Sequence, residues 1–138
     1  SQFGTAGTGT GQLNYPCAIA PDNKTTTQYF YVADTFNHRV HKFTAGGTHV
    51  LTWGSLGSTN GKFNTPYGIA VDSMGFVYVS DTMNNRIQKF DSSGNYLSKW
   101  GSGGTGNGQF DFPKAIYITG NVFYIVDGYN HRVQKFIY

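Results

Sequence analysis

The chain has 138 residues, enough for one ordinary domain with its own core and too few for two. A charged fraction of 12%, aromatics at 17% and 19 glycines favour short strands and tight turns over helices, so an all-β fold is expected. The net charge of +3 is too mild to point by itself to nucleic acid or an acidic membrane, and a single cysteine, Cys17, leaves no intrachain disulfide or cysteine-rich zinc site. No apolar run approaches a membrane span and none reads as a signal peptide. A start at Ser1 rather than Met is what a processed or excerpted chain shows.

The first element in chain order is FGTAGTGTGQLNYP, residues 3–16, which returns as WGSLGSTNGKFNTP at 53–66 and WGSGGTGNGQFDFP at 100–113. Each copy sets an aromatic eight positions before a fixed glycine (Phe3 to Gly11, Trp53 to Gly61, Trp100 to Gly108), then an apolar residue two later and a proline five later. Taken alone, Gly101, Gly103 and Gly106 spell the G-x-G-x-x-G pattern that cradles a pyrophosphate between a strand and a helix. Gly106 is Thr59 in the second copy and no helical periodicity follows, so the stretch is expected to be a crossover between repeats.

A second shared stretch follows each crossover: DTFNHRVHKF at 34–43, DTMNNRIQKF at 81–90 and DGYNHRVQKF at 127–136, with Asp34, Asp81 and Asp127 spaced by 47 and 46 residues. A period near fifty is that of propeller blades. The middle copy resolves into four strands, YGIAV, FVYVSD, RIQKF and YLSKW, separated by the turns SMG, TMNN and SSGN. Alternation puts Val77 and Val79 on one side of the second strand and Phe76, Tyr78 and Ser80 on the other. Four antiparallel strands make one blade, and no segment predicts a helix. The copies differ in length in the first hairpin, where the first carries DNKTTTQ.

The pattern G-x-F-x-x-P-x-G/A-I followed by Y-V-x-D-T-x-N-x-R-V-Q-K-F resembles the NHL repeat, and residues 61–90 lie close to its full consensus. The resemblance covers essentially the whole chain, 1–138, as repeats of approximately 3–52, 53–99 and 100–138. It implies a β-propeller, usually of six blades, that serves mostly as a binding platform for proteins or RNA; related propellers include metal-dependent hydrolases and lyases. Three four-stranded blades would be half of such a ring. The last blade is expected to lack its fourth strand, because nothing after Phe136 matches SSGNYLSKW, while Ser1 to Phe3 matches the tail of a fourth strand. Joining one chain's end to the next one's start gives five steps from Phe136 to Phe3 against ten from Phe90 to Trp100, so simple closure falls short. The expected partners are copies of the chain itself or further repeats of a longer chain, meeting in a ring or a filament through Ser1, Gln2, Phe3, Phe136, Ile137 and Tyr138.

The recurring pairs Asp34 with Arg39, Asp81 with Arg86 and Asp127 with Arg132 appear in every blade, whereas an active site is built once, so they are expected to be structural, each Asp capping its own turn and each Arg pairing within or between blades. Asn37, Asn84 and Asn130 read as turn residues, and Lys42, Lys89 and Lys135 as solvent-facing. His38 and His131 fall at hairpin turns where the middle copy has Asn85, His41 is matched by Gln88 and Gln134, and His49 by Tyr96. Without a carboxylate at ligand spacing, these imidazoles are expected at the surface or on a ligand, and no metal, cofactor or catalytic residue is assigned.

The leading expectation is therefore a non-enzymatic scaffold for protein binding or self-assembly. Single-stranded RNA on Phe36, His38, Asn85, Tyr129 and His131 ranks second, and a metal-dependent lyase or hydrolase third. Asn23, in NKT, is the one N-glycosylation sequon and leans towards an extracellular, soluble protein with no membrane partner. Cys17, matched by Tyr67 and Lys114, is expected to be a buried inert thiol.

Overall fold

The computed structural model describes residues 2–22, 24 and 26–137; the interface candidates Ser1 and Tyr138 and the sequon residue Asn23 lie outside them. Two short strands, β1 (Thr5–Ala6) and β2 (Gln12–Leu13), pair in parallel across the first glycine-rich stretch. The first blade is β3 (Pro16–Asp22), β4 (Tyr29–Asp34), β5 (Arg39–Thr44) and β6 (His49–Trp53). The second is β7 (Pro66–Val71), β8 (Val77–Asp81), β9 (Arg86–Phe90) and β10 (Tyr96–Trp100). The third is β11 (Pro113–Thr119), β12 (Val122–Asp127) and β13 (Arg132–Ile137). Every blade is an antiparallel meander in which sequence neighbours pair, two sheets being four-stranded and the last three-stranded. These are blades of a partial β-propeller.

Strands at 86–90 and 96–100 lie where the alternation placed them. The second turn of the first two blades is tighter than a simple hairpin: Thr35–Asn37 and Thr82–Asn84 wind into single 3-10 turns, closed by His38 and Asn85 in the left-handed conformation. A turn this short needs no helical periodicity, which is why the sequence shows none.

Each core lies between neighbouring blades. Ala20, Tyr31, Ala33 and Val40 of the first blade pack on Phe63, Ile69, Val77, Val79 and Phe90 of the second. On its other face the second blade offers Ala70, Tyr78 and Ile87 to Phe110, Ile116, Phe123 and Ile125 of the third. Alternation in the middle blade thus chooses between two neighbours rather than between core and water, and β8 and β9 are buried at every residue. The glycine-rich crossovers repeat the parallel contact of β1 with β2 as single bridges, Leu56 with Phe63 and Gly103 with Phe110.

Candidate functional site

The recurring aspartates organise the end of each blade. Asp81, fully buried, receives at Oδ1 the N–H of Asn64 at 2.7 Å and at Oδ2 the Arg86 Nε at 2.6 Å and the Gln88 Nε2 at 2.9 Å. Asn84 donates to the same carboxylate, and its Nδ2 also reaches the Gly57 carbonyl. The rest of the Arg86 guanidinium donates to the carbonyls of Ser58, Thr59 and Lys62, so the lock clamps the preceding crossover onto its own blade. Asp127 with Asn130, Arg132 and Gln134 repeats this on the carbonyls of Gly104, Thr105, Gly106 and Gln109. Asp34 with Asn37 and Arg39 repeats it on Gly7, Thr8, Gly9 and Gln12.

In the first and third blades the lock lowers the titration of its carboxylate. Burial pushes the Asp34 carboxyl up, but hydrogen bonds from His41, the Asn14 N–H, Arg39 and Asn37 outweigh it and hold the group below the ordinary carboxylate range. Asp127 follows the same balance: burial raises it, while the Asp111 N–H, Asn130, Arg132 and Gln134 bring it lower.

Two expectations of exposure do not hold, that for His41, drawn from the lack of a carboxylate at ligand spacing, and that for Lys42 and Lys89, drawn from alternation. His41 is fully buried, because it takes the place of the lock glutamine: its Nε2 lies 3.1 Å from Asp34 Oδ2, its Nδ1 is 2.9 Å from Thr52 Oγ1, and that hydroxyl reaches His49 Nε2 at 2.7 Å. Lys42 and Lys89 are buried rather than solvent-facing, since their stems run between blades and their ammoniums end over aromatic rings, Lys42 at 4.3 Å from the Tyr29 centroid and Lys89 at 4.2 Å from that of Phe76. Burial pushes Lys42 below its ordinary value, against the partial offset of Asp22 and Asp91. Cys17 is half-buried, and its Sγ reaches the Tyr15 carbonyl at 3.5 Å.

The Gln88 and Gln134 side chains each accept a glycine N–H, from Gly61 and Gly108, in addition to donating to the lock carboxylate. His41→Gln is therefore expected to cost less than about 1 kcal/mol in thermal unfolding, with the Gly11 N–H gaining the acceptor its two sisters have. A larger loss would show that the His41–Thr52–His49 chain carries stability of its own.

The turns also join blade to blade. The His38 Nδ1 accepts the Thr65 N–H at 2.9 Å, and Asn85 Oδ1 accepts the Phe112 N–H at 2.9 Å. Thr35 Oγ1 donates to the Pro66 carbonyl and Thr82 Oγ1 to that of Pro113. The blade-joining role of the threonines was missed in the sequence, although their repetition, and the change to Gly128 in the third copy, is visible there. His131 and Tyr15 hold the positions of these junction partners at the two outer ends, both with left-handed backbone. Among the described residues neither the His131 ring nor the Tyr15 N–H has a hydrogen-bond partner.

Two faces remain outside. On the third blade Tyr117, Val133 and Ile137 are each more than 60% exposed. On the first, Phe3, Leu13, Pro16, Ala18, Ile19 and Val32 line an apolar hollow of about 350 Å³. The turn end carries two exposed stacked pairs, Tyr15 on Phe36 at 4.9 Å and Phe112 on Tyr129 at 4.6 Å. Among the described residues no three His, Cys, Asp or Glu side chains converge on a point that could hold a metal, and no helix is long and apolar enough to cross a membrane.

A family model described as NHL repeat matches residues 63–90 and 110–136. Two of the three copies are NHL repeats. Each match contains the side chains of one lock, Asp81 with Asn84, Arg86 and Gln88 in the first and Asp127 with Asn130, Arg132 and Gln134 in the second, while the crossover carbonyls they clamp lie just before it. The first copy lies outside both matches yet has the same strand order and the same lock around Asp34. It departs from its NHL sisters at Leu13, in the longer first hairpin and at His41.

No curated protein matches the chain. Among solved structures, a structural genomics protein of unknown function from Bacteroides thetaiotaomicron is similar at 22% identity with a TM-score of 0.65, over 79% of this chain and 32% of its own. An auxiliary nutrient binding protein from the same organism is similar at 14% identity with a TM-score of 0.62, over 78% of this chain and 34% of its own. These likenesses show the fold, and the chain spans about a third of the length of each.

Proposed function

We propose that the chain is a non-enzymatic scaffold that associates with copies of itself, the outer face of the third blade docking on the outer face of the first blade of the next copy. One observation carries this reading: the two outer faces hold, repeat for repeat, the positions that already pack together inside the chain. Tyr117, Tyr124 and Val133 stand where Ala70, Tyr78 and Ile87 meet the third blade. Ile19, Phe30, Val32 and Phe43 stand where Ile69, Val77, Val79 and Phe90 meet the first.

The departures compensate in size. The third blade gains bulk, with Tyr117 for Ala70 and Val126 for Ser80, while the first gives room, with Leu13 for Phe63 and Phe3 for Trp53. Exposed apolar faces on a repeat protein lie where further packing is available. Such a head-to-tail contact closes into a ring or runs on as a filament, depending on the rotation between copies. An extracellular setting belongs to the same reading and is supported by the sequon at Asn23 alone.

Light scattering on the eluting chain tests the proposal. A mass at a multiple of 15.2 kDa is expected. Ile19→Asp on the receiving face should weaken association roughly a hundredfold, the ~3 kcal/mol cost of burying an unpaired carboxylate. A well-folded monomer at tens of micromolar, on the order of a modest protein affinity, would sink it.

The exposed aromatic pairs favour a second reading, a flat ligand such as a base or a sugar stacked on Tyr15 or Tyr129. It ranks lower because, His131 apart, the neighbouring polar groups are engaged: Arg39 and Arg132 each donate to a carboxylate and three carbonyls, and His38 and Asn85 accept junction N–H groups.

A further inference from the structure

We propose that the contact between copies includes strand addition: Gln2 and Phe3 of one copy pair antiparallel with β13 of another, Phe3 opposite Val133 and Gln2 opposite Gln134. The inference rests on the head-to-tail reading above and specifies how the edges meet.

The first two blades each end in a fourth strand whose last residue is a tryptophan. Trp53 lies opposite Val40 and Trp100 opposite Ile87, with Thr52 opposite His41 and Lys99 opposite Gln88. In the third blade the residues at those two positions are Val133 and Gln134, and among the described residues β13 has a paired strand on one side only. A row of free backbone groups on such an edge is a template for pairing with another chain. The space it leaves is open: Gly11 has the Cβ of His49 beside it and Gly61 that of Tyr96, each the first residue of a fourth strand, whereas nothing approaches the corresponding side of Gly108 within 4 Å. A groove of about 490 Å³ runs there, between Asn107, Gly108 and β13.

The segment that fits the Val133 and Gln134 end of this groove, the end where Trp53 and Trp100 close their own blades, is identified by where Phe3 sits. Trp53 leaves the first blade's fourth strand and packs on the second blade, its ring 5.8 Å from Phe90 and against Gly94. Phe3 packs on the first blade in the same way, 5.2 Å from Phe43 and against Gly47. Gly47 and Gly94 are equivalent turn residues, both with left-handed backbone, and a Cβ at either would press into the ring. Phe3 therefore occupies the seat that a preceding blade's fourth strand fills. The residue such a strand must lie beside is the counterpart of Val40 and Ile87, which on this chain is Val133 and is 61% exposed. The same docking brings the unpartnered N–H of Tyr15 to the unpartnered ring of His131, as Thr65 meets His38 and Phe112 meets Asn85.

The test mixes two single-cysteine chains, both carrying Cys17→Ser, one with Phe3→Cys and the other with Val133→Cys, under oxidised glutathione. Directly opposed antiparallel residues suit a disulfide, so the mixed 3–133 crosslink should dominate over 3–3 and 133–133 species, with the linked peptides identified by mass. Both positions are exposed, and hydrogen exchange on the unaltered chain gives a readout without substitution: fast-exchanging β13 amides should become protected as protein concentration rises. Association by light scattering without the mixed crosslink and without β13 protection would overturn strand addition and leave face-to-face docking standing. Absence of association would overturn both.

Discussion

Replacing Asp81 by alanine is expected to destabilise the chain by about 3–5 kcal/mol, the usual cost of removing one partner from a buried ion pair. The carboxylate is fully buried and is the common acceptor for Asn64 N–H, Asn84, Arg86 and Gln88. Its loss leaves the Arg86 guanidinium, whose side chain is 7% exposed, with carbonyls but no counter-charge. For a chain of this size the change corresponds to a fall in Tm of roughly 10–20 °C. Asp127→Ala should cost less, because the Arg132 side chain keeps 29% exposure and can be rehydrated. Equal losses in the two variants would mean that burial of the arginine is not what sets the cost.

The locks of the first and third blades predict acid sensitivity. The carboxyls of Asp34 and Asp127 lie below their unfolded value of 3.8 in the folded chain. Such groups add stability above the unfolded value, and the addition is lost as pH falls through the folded value, so a Tm flat near neutrality should drop below about pH 4. The drop should shrink in Asp127→Ala, which has lost one of the groups concerned.

The blades and the residues of the locks were legible in the sequence because each repeats, but the aspartates do not cap their own turns as expected: Asp34 and Asp81 make no cap bond and accept the N–H of Asn14 and Asn64 from the preceding crossover instead. Asp81, Asn84 and Arg86 stand at the same offsets as Asp127, Asn130 and Arg132, and a lock built inside one blade repeats wherever the blade does. The burial of Lys42, Lys89 and His41 was not legible, because period-two alternation marks two faces without saying what covers them. In a blade held between two others both faces are covered, and a lysine reaches an aromatic ring instead of water. Junction contacts such as His38 to Thr65 span 27 residues between unlike partners, histidine in one copy and asparagine in the next, so only the packed blades reveal that they are one device. The outer faces were legible as apolar, whereas the exchange of Phe63 for Leu13 against Ser80 for Val126 acquires meaning only once each position is known to face a neighbour.

Gly68→Ala should separate the second and third blades. β7 packs against β3 on one side and β11 on the other. A Cβ at Gly68 would run into the Lys114 carbonyl, its carbon lying 2.9 Å away, and that obstacle is backbone of the next blade rather than a side chain that can swing aside. Gly68 does not require a left-handed backbone, so the effect is steric and not conformational. The third blade must therefore shift, at an overpacking cost of about 1–3 kcal/mol, and the Thr82–Pro113 and Asn85–Phe112 bonds across the same joint are strained with it. The corresponding residues Ala18 and Ala115 show that alanine itself suits the strand, which places the penalty at this joint. Hydrogen exchange after the substitution should quicken in β11 to β13 and at the Phe112 N–H, while β3 to β6 keep their protection. Uniform loss across all three blades would mean that the joint between the second and third is not an independent unit, and unchanged exchange would mean that the blades already have room for the methyl group.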